Sequence, residues 1–154
     1  MSLLHAAVLA ARASGDYQLV LDALPYARFT GMLATLDGEV VRLRLPFQQS
    51  SLGGTKLPAI HGCVVGALLE SAALLQVVHS LLAHEHAHVF ERGSPFPKTI
   101  DFTVDYLRVA RAEDLFAVAE LQRKGRRIAN VRMRAYQQRE NEPVALGRGN
   151  FLLG

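Results

Sequence analysis

The sequence contains no tryptophan and a single cysteine, Cys63. One thiol excludes an internal disulfide framework, so the fold must rest on a packed apolar core, and a reducing cytoplasm is the expected compartment. Charge is also sparse, at 20% of the 154 residues, whereas 50% are hydrophobic. These proportions exclude a disordered chain and fit one compact domain. The opening residues MSLLHAAVLAARASG lack a basic start before an apolar run and a convincing cleavage site, so no secretory leader is expected. No helix-turn-helix segment is evident and the charges are spread over strands, which argues against nucleic-acid regulation. A net charge of +3 favours anionic partners without choosing among them.

What the chain does have is a long apolar run, residues 64–83, interrupted by Glu70, Gln76 and His79. Those polar residues and the amphipathic strands around it mark a buried helix of a soluble protein rather than a membrane span. Pro58 and His61-Gly62 supply its start. Before it, ARFTGMLATL and EVVRLRL form two antiparallel strands joined by Asp37-Gly38, a type I′ hairpin signal. After it, TIDFTVDYL alternates, with Ile100, Phe102, Val104 and Tyr106 on one face and Asp101, Thr103 and Asp105 on the other. DLFAVAELQR, RIANVRMRAYQQ and PVALGRGNFLL follow as three more strands, completing a four-strand meander. Residues 3–13 have helical spacing with Ser14-Gly15 as their stop. The expected class is α+β, about six strands curling around one helix, as a single domain over residues 1–154 with a helical extension at 1–25.

Gly62, Cys63, Gly66, Ala67, Glu70 and Ala73 share one thin side of the long helix. A mid-helix glycine costs about 1 kcal/mol relative to alanine, so Gly66 implies a close approach. A buried carboxylate needs a partner or a task. The free N–H groups at the helix start, Gly62 and Cys63 among them, can hold a developing oxyanion, and Glu70 can activate water or attack directly. Eight residues separate Gly62 from Glu70, about 12 Å along the axis, too far for both to reach one carbon. Two antiparallel helices across a twofold axis would bring them together, so the spacing points to a dimer.

The stretch LPAIHGCVVGALLESAA, with Glu70 nine positions after His61, then TIDFTVDYLRVA and the KGRRIANVRM turn, resembles the PaaI-like acyl-CoA thioesterases of the hotdog fold over residues 28–153. The resemblance implies a long helix wrapped by a curved antiparallel sheet, homodimers joined edge to edge that pair into homotetramers, and hydrolysis of acyl-CoA without a cofactor or metal. It makes Glu70 the general base or nucleophile and the partner's Gly62 N–H the oxyanion donor. His61 would position the thioester and Thr99 the water. It implies substrate contacts at Cys63, Gly66 and Thr55 on the pocket side, and at Lys124, Gly125, Arg126 and Arg127 on the nucleotide side. Cys63 replaces the usual second glycine, and Gly54 and Thr55 stand where an asparagine is common. A noncatalytic acyl-CoA-binding protein is the alternative reading. The HSLLAHEHAH tract offers His84, His86 and His88 as zinc ligands, but reads more simply as a solvated turn.

Overall fold

The computed structural model describes residues 2–54, 56–83 and 96–153. Three helices come first: α1 (Leu3–Ser14), α2 (Gln18–Asp22) and α3 (Pro25–Thr30). The Ser2 side chain accepts from the His5 N–H at the start of α1, and Gly15 closes the helix at φ 74°, the stop expected at Ser14-Gly15. The strand expected over residues 27–36 is a strand only in its second half. Pro25, with φ preset for a first helical turn, and Gly31, left-handed at φ 70°, bracket a helix instead, and this overrides the β-propensity of Phe29 and Thr30.

Strands β1 (Leu33–Asp37) and β2 (Val40–Leu45) form the hairpin, with Asp37 opposite Val40. The turn is therefore Gly38-Glu39, one residue later than the sequence suggests. Gly38 alone takes positive φ, so the turn is not type I′. A short 3-10 turn, Gln49–Ser51, leads towards α4 (Gly62–Ala83). Strands β3 (Lys98–Tyr106), β4 (Leu115–Lys124), β5 (Ile128–Tyr136) and β6 (Ala145–Leu152) follow.

All six strands form one antiparallel sheet in the order β1-β2-β4-β5-β6-β3. β4, β5 and β6 make the expected meander, but β3 does not lead it. The place beside β4 is filled by β2, with Leu43 opposite Ala117, so β3 crosses to the far edge and pairs with β6. α4 lies in the curve of this sheet. Leu68, Leu69, Leu75, Val77 and Val78 are fully buried, as are Leu43, Leu115, Val131 and Phe151. Each such side chain contributes about 1.5–3 kcal/mol of burial. By length and composition α4 could cross a membrane, yet it packs against β2, β3, β4, β5 and β6 and serves as the core helix.

Two polar residues of α4 fix its outlook. Gln76 is buried and bonds the hairpin at both ends, Oε1 accepting from Val41 N–H at 2.8 Å and Nε2 donating to Glu39 O at 2.8 Å. The Tyr17 hydroxyl lies 2.6 Å from His79 Nδ1, and His79 Nε2 lies 3.1 Å from a Glu39 carboxylate oxygen. This chain of contacts ties the N-terminal helices to the core. Burial and the Glu39 charge push the Tyr17 phenol up to about 12.

Candidate active site

Among the described residues, the start of α4 leaves one backbone donor without a partner. His61 N–H donates to Ser51 O at 2.8 Å, and His61 O accepts from Val64 N–H at 2.9 Å and Val65 N–H at 3.2 Å. Cys63 N–H donates to His61 Nδ1 at 3.1 Å, so the imidazole performs the capping that a serine or aspartate side chain usually performs. Among the described residues nothing accepts from the Gly62 N–H. Of the two donors the sequence proposes, Gly62 is thus free, whereas Cys63 is committed to His61. His61 and the Cys63 side chain are both exposed.

Two turns along the helix, half-buried Glu70 accepts a hydrogen bond of 2.6 Å from the Thr99 hydroxyl. Regular alternation would turn Thr99 away from the helix, on the face of Asp101, Thr103 and Asp105. A β-bulge prevents this. Thr99 pairs with Phe151 and Asp101 with Asn150, so two residues of β3, Ile100 and Asp101, oppose one of β6. The extra residue flips the strand, placing Thr99 on the inner face with Phe102 and Val104 and leaving Ile100 52% exposed. Bulges re-aim side chains, and this one aims a hydroxyl at the carboxylate.

What approaches the thin side of α4 within the chain is β3. A Cβ on Gly62 would lie 3.2 Å from the Tyr106 ring and hydroxyl, and one on Gly66 would meet Tyr106, Phe102 and Val104 at 3.7–4.0 Å. The first contact is tight and the second ordinary, so Gly66 is buried beneath β3 with room for a methyl group. Beside Gly62, a hollow of about 170 Å³ is bordered by Ile60, Val65, Tyr106 and Val109.

The basic turn divides in two. Gly125, Arg126 and Arg127 line a groove of about 590 Å³ with Arg123, Asn130 and Asn150. Lys124 points elsewhere: its ammonium donates to Ser80 O at 3.3 Å and Ser80 Oγ at 3.2 Å on α4, and burial pushes it below the ordinary lysine value. The groove lies at the Thr99 end of the sheet, because Ile128, Leu152 and Lys98 form one cross-strand row and Ala129, Phe151 and Thr99 the next. Thr55 and the His84, His86 and His88 tract lie outside the described residues. Tyr106 is a contact the sequence reading missed. Its signal was its place in phase with Phe102 and Val104, which cover the helix.

The model of the acyl-CoA thioesterase N-terminal domain matches residues 54–152. The medium/long-chain acyl-CoA thioesterase YigI of Escherichia coli is 30% identical over 135 residues, covering 85% of this chain and 86% of its own. A crystal structure of a protein from Chromobacterium violaceum is 34% identical, with coverage of 96% of each chain and a TM-score of 0.69. A thioesterase-superfamily-related protein from Shewanella oneidensis, 20% identical, superposes with a TM-score of 0.79 over 98% of this chain and 97% of its own. The helix wrapped by its sheet is thus the hotdog fold, and the class is thioester hydrolase. The chain belongs to the acyl-CoA thioesterase family.

Proposed function

We propose that the protein hydrolyses medium- or long-chain acyl-CoA, in a homodimer whose two sites each combine Glu70 and Thr99 of one copy with Gly62 of the other. The observation that carries this reading is the 2.6 Å Thr99–Glu70 hydrogen bond, taken with the unpartnered Gly62 N–H eight residues earlier on the same helix. Eight residues span about 12 Å of helix, so a second copy running antiparallel is the simple way to bring the two groups to one thioester. YigI, the relative described above, supports the acyl length. The open edge of β3, with Ile100 and Tyr106 more than half exposed, supports sheets joined edge to edge, and such dimers pair further into tetramers. Each copy works as one hotdog domain carrying its N-terminal helices, in the cytoplasm and without a metal.

In this reading the thioester carbonyl oxygen accepts from Gly62 N–H at the positive end of α4. Thr99 donates to one oxygen of Glu70, which leaves the other oxygen as base and a lone pair of the Thr99 hydroxyl to receive water. Glu70 removes a proton as the water oxygen bonds to the carbonyl carbon. The tetrahedral oxyanion then collapses, the carbon–sulfur bond breaks, and coenzyme A leaves as a thiolate that takes up a proton. Arg126 and Arg127 face the groove at this end of the sheet, where their charge suits the phosphates of the nucleotide. Glu70→Gln is expected to lower thiol release from acyl-CoA by at least about 10³-fold while the circular dichroism spectrum stays that of the native protein. Hydrolysis at the native rate in that variant would end the assignment.

A further inference from the structure

Tyr106 reaches the helix start from β3. Its hydroxyl donates to Gly62 O at 2.7 Å, its ring lies 3.2 Å from where a Gly62 Cβ would sit, and it borders the hollow beside that residue. The carbonyl it holds belongs to the Gly62–Cys63 peptide, whose N–H donates to His61 Nδ1. Hydrogen bonds in series polarise one another, so the tyrosine hydroxyl strengthens the Cys63 donor as it fixes the plane of that peptide. A nitrogen that accepts a hydrogen bond carries no proton in that bond, so the His61 proton resides on Nε2. The ring is confined from the other side as well, since a Cβ on Gly53 would meet His61 Cδ2 at 3.3 Å.

We propose that Tyr106 is a positioning residue for thioester hydrolysis: through Gly62 O it fixes the Gly62–Cys63 peptide, so steadying the helix start next to the free Gly62 N–H, and through Cys63 it holds His61 as the Nε2–H tautomer. This role rests on the function proposed above. It also explains Gly62 physically. The absence of a side chain there makes room for the tyrosine ring, so the residue with the free amide is held by a neighbouring strand and not by the helix alone. More than half of Tyr106 is exposed, so loss of its hydroxyl leaves the core intact.

The test is Tyr106→Phe, which keeps the ring on Gly62 and removes only the hydrogen bond. Steady-state kinetics with a medium-chain acyl-CoA should show kcat lowered about tenfold and KM changed less than about twofold, because a loosened helix start and a misoriented His61 weaken the transition state more than substrate binding. Side-chain ¹⁵N spectra at mildly alkaline pH should show the Nε2–H form of His61 in the native protein and a larger share of the Nδ1–H form in the variant. A native kcat in the variant would overturn the proposal. So would a lowered melting temperature with the tautomer ratio unchanged, which is the signature of a merely structural tyrosine. If the native protein itself failed to cleave acyl-CoA, the function would fall, and the tautomer comparison would still decide what Tyr106 does to His61.

Discussion

At the scale of single residues, the two halves of the chemistry are prepared differently. Gly62 contributes a backbone donor that is free because its neighbours are occupied: His61 N–H by Ser51, Cys63 N–H by the His61 ring, and Val64 N–H by His61 O. Glu70 contributes a carboxylate with one oxygen already engaged by Thr99. Removing that hydroxyl should leave the acid in place but free to rotate. Thr99→Val, which keeps the shape, is expected to lower kcat about tenfold, equivalent to about 1.4 kcal/mol in the transition state, and Thr99→Ser to retain most of it. Thiol release measured under saturating acyl-CoA checks both. An unaffected Thr99→Val would reduce the contact to packing.

Among the elements, the N-terminal helices are fastened to the core through Tyr17. Its phenol, raised from the ordinary 10.0 to about 12, keeps its proton in the folded protein over a range where the unfolded chain has lost it. The resulting stabilisation is complete below about pH 10 and is lost as pH rises through 12, an effect on the order of 2 to 3 kcal/mol. Thermal unfolding of the native protein should therefore weaken between pH 10 and 12 more steeply than that of Tyr17→Phe, and parallel curves would remove this role. None of this latch was visible in the sequence, since the Tyr17–His79 contact joins residues 62 apart. α4 was legible because an unbroken apolar run with isolated polar residues has one economical place, inside a curved sheet. The position of β3 was not, because alternation reveals which residues face inward but not which strand lies alongside. Nor was the inward turn of Thr99: the alternating residues that follow it read as regular, and only pairing against Phe151 and Asn150 exposes the extra residue. At α3 the sequence did carry the signal, Pro25 and Gly31 at a helix's two ends, and hydrophobic patterning concealed it.

For the whole molecule, the separation of Gly62 from Glu70 predicts complementation between damaged copies. Glu70→Gln removes the base, and Gly62→Pro removes the amide donor at a position where proline suits a helix start, at the cost of displacing the exposed Tyr106 ring. Each variant alone should be inactive. Unfolded together and refolded as a mixture, they should recover about a quarter of native activity, because half of the dimers are mixed and one of their two sites is intact. Activity that stays at the level of the separate variants would mean that the site is built within one chain.

The bulge in β3 also ties the chemistry to one particular register. Were the start of the strand to slip by one residue, so that Ile100 met Phe151 and Thr99 met Leu152, the ladder would become perfectly regular, yet the alcohol that serves the carboxylate would then face solvent. That slip would also bury Ile100, which is now 52% exposed, and would yield a well-formed protein with nothing to hold its water.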